Sequence, residues 1–230
     1  MVFGGIQETT LIDFPGRVGC ILFTAGCNFK CPYCHNPELL SFSTARVIKQ
    51  RWILDFLKER MGFLDGVVIT GGEPTLQKDL MDFMEIIRDM GFEVKLDTNG
   101  SRPHVLEQIL DTGLVDYIAM DLKTTPDQYA GMVESPVDPE KIRTSIQTIL
   151  NSGVDHEFRT TCAWPMIDRD TVSRLSEMVA GAHLWVFQEC QDTRMLVPDF
   201  LEKAEIVYTM DDVESFAALA LPHVQEVRVR

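Results

Sequence analysis

At 230 residues, with 45% apolar content and no break in composition, the chain can bury one core of the larger α/β kind and calls for no disulfide staples. Its 35 acidic and 21 basic residues give a formal charge of -14, which repels a polyphosphate backbone and argues against nucleic acid as a partner. The N-terminus carries neither a basic leader nor the apolar run of a signal peptide, and no stretch is long enough to span a membrane, so a cytoplasmic protein with no membrane partner is expected.

The first strand is predicted at 18–23 and runs straight into a loop that holds Cys27, Cys31 and Cys34. A helix at 47–61 follows, with Ile48, Trp52 and Phe56 on its apolar face. From Gly66 onward, strand-like runs at 66–70, 92–97, 115–122, 154–161 and 183–188 alternate with amphipathic stretches. Those stretches show their apolar faces in Leu80, Met84 and Ile87, in Val105, Ile109 and Leu110, in Ile142, Ile146 and Ile149, and in Val172, Leu175 and Val179. Each is stopped by a glycine, in turn Gly91, Gly113, Gly153 and Gly181. This is a succession of βα units, which predicts an α/β fold of six parallel strands with outer helices, a partial (β/α)6 barrel. The tail from Glu189 is less regular, with a short helix at 211–219 and a last strand at 224–229. A single domain over 1–230 is expected, with a core over about 17–190 and a C-terminal extension over about 191–230.

Chemistry in such folds collects at the carboxyl ends of the strands, and the cysteine loop leaves one of them. The spacing C-x3-C-x2-C puts three thiolates on one short loop, enough for three irons of a cubane, and no fourth cysteine nearby completes the set. One iron is then left open, as in a reactive centre. The alternative is zinc with His35 as fourth ligand; against it, His35 directly follows Cys34, and adjacent residues rarely both reach one tetrahedral ion. Cys20, Cys162 and Cys190 are scattered and read as buried small hydrophobes in a reducing compartment.

With Tyr33 ahead of its last cysteine, this loop resembles the signature of the radical S-adenosylmethionine (radical SAM) superfamily. The run 67–74, ending in Gly71-Gly72-Glu73-Pro74, stands where that superfamily has its second element, after the second strand. The resemblance implies one 4Fe-4S cluster on Cys27, Cys31 and Cys34, S-adenosylmethionine as cofactor, and binding of the methionine amino group by the Gly71-Gly72-Glu73 segment. The clusters Asp97-Thr98-Asn99-Gly100 and Asp121-Leu122-Lys123 recur in activating enzymes of glycyl radical proteins. There the resemblance implies that Lys123 pairs with the methionine carboxylate, while Asp97, Thr98 and Asp121 lie beside the cofactor with room for a monovalent cation. Arg159 and Gln188, near the ends of the fifth and sixth strands, are further candidates for the same cavity.

The run 6–16, together with Cys34-His35-Asn36-Pro37, is similar to the activating proteins of anaerobic ribonucleoside-triphosphate reductase. This implies a glycyl radical enzyme, anaerobic ribonucleotide reductase, as partner, whose glycine yields a hydrogen atom to a 5'-deoxyadenosyl radical. Pyruvate formate-lyase activating enzyme shares most of these motifs. The predicted helix at 47–61 occupies much of the stretch between Cys34 and Glu73, and no ferredoxin-like insert fits there. The electron is therefore expected from an external donor such as flavodoxin or ferredoxin. Two other readings stay open: a small-molecule radical enzyme such as 7-carboxy-7-deazaguanine synthase, and an iron-sulfur electron carrier that binds no cofactor.

Overall fold

The run predicted at 18–23 is a strand, β2 (Gly19–Thr24), and it pairs in parallel with β3 (Gly66–Gly71), which pairs in parallel with β4 (Glu93–Thr98). A strand not anticipated from the sequence, β1 (Phe3–Thr10), lies antiparallel to β2. Residues 3–10 contain adjacent glycines and bury only Phe3 and Thr10, so neither alternation nor an apolar run announces them. The computed structural model describes residues 1–43 and 46–230, which fall into two compact units.

The first unit comprises Met1–Asn28, Glu38–Thr98 and His104–Ile118. Helices α1 (Gln50–Glu59), α2 (Leu80–Asp89) and most of α3 (Pro103–Thr112) belong to it. Side chains alternate between the two faces of a strand, and here both faces are buried, hence the continuous apolar runs. Cys20 and Leu22, Val67 and Ile69, and Val94 and Leu96 share one face and have no exposed surface. Ile21, Val68 and Lys95 come into register on the other. The helices contribute Ile53, Leu57, Phe83, Met84 and Ile87, also fully buried, each worth roughly 1.5 to 3 kcal/mol of burial.

The face predicted for α1 is rotated. The helix starts at Gln50, Ile48 bonds instead to the carbonyl of Phe3, and Trp52 is 47% exposed while Ile53, Phe56 and Leu57 turn inward. Trp52 covers Phe56 by stacking at 5.9 Å, so its spacing matched a helical face without belonging to the core.

The second unit comprises Phe29–Pro37, Asn99–Pro103 and Ala119–Arg230. Strand β5 (Tyr117–Asp121) begins in the first unit and ends in the second. Then follow α4 (Tyr129–Met132), α5 (Pro139–Leu150), β6 (Asp155–Cys162), α6 (Arg169–Met178), β7 (Leu184–Glu189), α7 (Met210–Ala220) and β8 (Glu226–Val229). Strands β6, β7 and β8 are parallel neighbours. Asp138 caps α5 by accepting from the amide of Glu140, with Pro139 in the first turn. The tail helix α7 is started by a capping box between Thr209 and Asp212. The α/β class, with parallel strands and intervening helices, is the one read from the sequence. Among the described residues no helix is long and apolar enough to cross a membrane.

Candidate active site

In the first unit the polar residues gather where β2, β3 and β4 end. Gly71 closes β3 with φ at 112°, a conformation that side chains rarely adopt, and a Cβ there would stand 2.4 Å from the amide nitrogen of Thr24. A Cβ on Gly72 would stand 2.2 Å from the carbonyl oxygen of Gly26. The resemblance implied a cofactor role for this segment; in the structure the group that approaches both glycines is the chain's own backbone. The amide of Gly72 donates to the carbonyl of Thr24 and that of Glu73 to Gly26, both at 2.8 Å. The segment after β3 is thus fastened to the residues that lead into Cys27. Gln77 adds a side-chain bond to the carbonyl of Ala25 at 2.7 Å, and Cys27 itself is half-buried, its amide bonded to Leu40.

Glu73 has no exposed surface, and its Oε1 accepts from the amide and hydroxyl of Thr75 and, at 2.8 Å, from the hydroxyl of Thr98. Those donors fix the orientation of the carboxyl group. Asp97, one residue before Thr98 on β4, has Lys95 Nζ 3.1 Å from its Oδ1. Lys95 was not singled out in the sequence, because one lysine inside a strand reads as a solvent-facing residue.

In the second unit, the amide of Cys34 donates to the carbonyl of Cys31, closing a turn. Cys31 is buried and its thiol is pushed up to about 11, chiefly by loss of solvent, with Lys123 pulling the other way. Tyr33 is buried with a hydroxyl that has no hydrogen-bond partner among the described residues, and Lys123 Nζ lies 5.8 Å from its ring centre. Lys123 also donates to Asp121 Oδ2 at 3.0 Å, while Arg159 Nε donates to Oδ1 at 2.9 Å. Burial alone would raise the Asp121 carboxyl, but Arg159 and then Lys123 outweigh it and hold the group well below the usual carboxylate range. Tyr129 braces the set: its oxygen accepts from the amide of Lys123 at 3.0 Å.

Arg159 and Lys123 meet at Asp121, which is the group that gathers them. Gln188 is half-buried one strand over, in register with Thr161, and takes no part in that set. The tail holds the cysteine loop, a role no motif pointed to. Leu196 donates its amide to the carbonyl of Cys34 and Val197 to that of Pro32, both at 3.0 Å, and Phe200 packs against Tyr33. His35 also turns to the tail, with Nε2 3.2 Å from the carbonyl of Gln191.

Cys27 belongs to the first unit and Cys31 and Cys34 to the second. Among the described residues no three His, Cys, Asp or Glu side chains are grouped closely enough to hold a single metal ion. Among the described residues the cysteines form no disulfide, and the thiols of Cys20, Cys162 and Cys190 are buried and pushed up, to about 12, 12 and 11, by loss of solvent. This is the inert state expected of core cysteines.

The profile of the Radical SAM superfamily matches residues 21–179. A Methanocaldococcus jannaschii protein provisionally named a glycyl-radical enzyme activating enzyme is 35% identical over 192 residues, covering 80% of this chain and 78% of its own. The 7-carboxy-7-deazaguanine synthase of Aquifex aeolicus is 40% identical over 101 residues, 44% of this chain and 43% of that enzyme. In fold, the chain is similar to the crystal structure of Streptococcus suis SuiB at a TM-score of 0.69 and 13% identity, covering 91% of this chain and 48% of SuiB. That likeness fits the partial-barrel class.

Proposed function

The chain belongs to the radical SAM superfamily, whose members use a 4Fe-4S cluster and S-adenosylmethionine, and from that premise we propose that it is an activating enzyme for a glycyl radical protein, anaerobic ribonucleoside-triphosphate reductase. The observation that carries the activase reading is the 35% identity to an activating-enzyme relative over 80% of this chain, against 44% of the chain aligned to the deazaguanine synthase. The unbroken match through parts of both units supports reading 1–230 as one domain.

The donor set fits the cluster. Cys27, Cys31 and Cys34 offer three thiols in reduced form, the ligand number that leaves one iron of a cubane open. When bound and reduced, such a cluster supplies the electron that splits S-adenosylmethionine and yields the radical that takes hydrogen from glycine. The chain's own part is to bind and orient. Glu73 is a buried acceptor whose carboxyl is oriented by hydroxyl and amide donors, which suits the ammonium of the methionine part. Asp121, Lys123 and Arg159 together carry one net positive charge, which suits its carboxylate, and Lys123 keeps N–H donors beyond the one given to Asp121. Tyr33 presents a buried phenol beside Lys123, and Gly71 and Gly72 fix the backbone ahead of Glu73. Gln188 is retained as a cofactor contact on its position at the end of β7. The reductant is an external donor of the flavodoxin or ferredoxin kind.

To test the partner, the reduced holoenzyme and S-adenosylmethionine are offered to anaerobic ribonucleotide reductase and pyruvate formate-lyase side by side. A glycine-centred radical on the reductase, with one methionine released per radical, is expected. A radical on pyruvate formate-lyase alone reassigns the partner. Brisk cofactor cleavage with a radical on neither sinks the activase reading in favour of a small-molecule substrate.

A further inference from the structure

We propose that a groove beside β1 is the docking surface for the external reductant, a redox protein that presents an acidic face. The groove, of about 570 Å³, is lined by Ile6 of β1 and by Val47, Ile48 and Trp52 at the approach to α1, together with Arg46 and Lys49, all within the first unit. Its apolar part is open to solvent: Val47 is 57% exposed and Trp52 47%, with the Trp52 ring held by its stack on Phe56. Strand β1 is the edge of its sheet, and among the described residues its outer side is bridged only at Phe3, by Ile48. An open strand edge beside an apolar groove is a place where a partner protein can bind.

Charge selects the kind of partner. The run 39–54 contains Arg46, Lys49 and Arg51 and no acidic residue, in a chain of formal charge -14. Arg51 lies 3.9 Å from Asp55, whereas Arg46 and Lys49 are exposed and form no ion pair among the described residues. Glu8, on β1, is paired with Arg60 at 3.5 Å, and Asp79 with the N-terminal amine, which also reaches Gln50 at the start of α1. An acidic protein is therefore repelled by most of the surface and attracted to this groove, so charge orients the encounter. An anionic membrane meets the same wide repulsion and has no strand to set against β1. The groove also adjoins the strand that leads to the cysteine loop: Gly5 is in register with Phe23, and the amide of Ala25 donates to the carbonyl of Val2 at 2.9 Å. From Phe23 the backbone reaches Cys27 within about 14 Å. A donor docked here is oxidised by one electron for each cofactor cleaved. The docking role rests on the external-donor reading above; the patch itself rests on charge and exposure.

Two measurements test it. In the first, the full cluster-free chain is titrated with a flavodoxin and with a ferredoxin of net negative charge. The wild type should bind one of them, less tightly as KCl is raised, and Arg46→Glu with Lys49→Glu should weaken that binding at least about tenfold. In the second, the reconstituted enzyme cleaves S-adenosylmethionine with either that donor in reduced form or dithionite as reductant. The double variant should keep the wild-type rate with dithionite and lose at least about tenfold in kcat/KM for the protein donor. Arg46→Gln with Lys49→Gln, which removes the charges without reversing them, should fall between. Donor binding or donor-driven cleavage unchanged in the double variant overturns the proposal, and so does a loss of the dithionite-driven rate. It is equally overturned by a wild type that binds neither donor, or that uses Arg46 and Lys49 to dimerise or to hold phosphatidylserine vesicles. A wild type that binds the donor through Arg46 and Lys49 yet cleaves no cofactor with dithionite upholds the docking surface and contradicts the proposed function, so the two are told apart.

Discussion

Replacing any one of Cys27, Cys31 or Cys34 by alanine is expected to take the anaerobically reconstituted protein from about four irons per chain to almost none, and cofactor cleavage to background. The three act as a unit, because a cubane held by two thiolates loses a ligand that water cannot replace, so single and triple variants should look alike. The same change at Cys20, Cys162 or Cys190 should leave iron content at the wild-type level, since those thiols are buried and protonated and lie off the loop. Iron analysis and the visible absorption of the cluster read the outcome. Full iron content in a Cys31→Ala protein, or loss of iron in Cys162→Ala, would misplace the ligand set. So would zinc in the wild-type protein.

The second large effect is expected at Gly72, where alanine should destabilise the chain by about 3 kcal/mol or more and prevent stable cluster loading. The added methyl would lie 2.2 Å from the carbonyl oxygen of Gly26, and neither partner is a side-chain tip that could swing away. Relief requires moving the segment that leads into Cys27 or breaking the bond from Glu73 to Gly26. One substitution thus loosens the cysteine loop and the carboxylate together. Denaturant unfolding of the cluster-free chain measures it. Gly131→Ala is the control, since a Cβ there meets nothing within 4 Å among the described residues. A Gly72→Ala chain as stable as wild type would show that the glycine serves ligand approach and not backbone packing.

Most of the parallel scaffold could be read from the sequence, because strands buried on both faces are continuous apolar runs and each helix ends at a residue able to turn the chain. Gly91, at φ 89° after α2, is one such stop. What escaped lacked a side-chain signal. Strand β1 is held by backbone pairing and buries little, and the tail segment at Leu196 and Val197 grips the cysteine loop through amides, which any residue but proline supplies. Trp52 misled in the opposite sense, with helical spacing but an exposed place over Phe56. At the site, Cys27, Glu73 and Lys123 were legible as motifs, whereas Thr75 and Tyr129 act on Glu73 and Lys123 through single bonds and carry no motif of their own. Lys95 was hidden because its pairing with Asp97 matters only once both are known to be buried.

On the proposed function, this chain binds a cluster with an open position and cleaves S-adenosylmethionine there, with Glu73 and Lys123 holding the cofactor. The most direct test is the yield of 5'-deoxyadenosine from the reduced, reconstituted protein with S-adenosylmethionine, run beside Glu73→Gln and Lys123→Met. Wild type should release 5'-deoxyadenosine and methionine in equal amounts, and each variant should keep its iron while losing at least about 100-fold in rate, as expected when a charged cofactor contact is removed. Variants that cleave as fast as wild type, or a wild-type protein that holds its cluster but never cleaves the cofactor, would contradict the account.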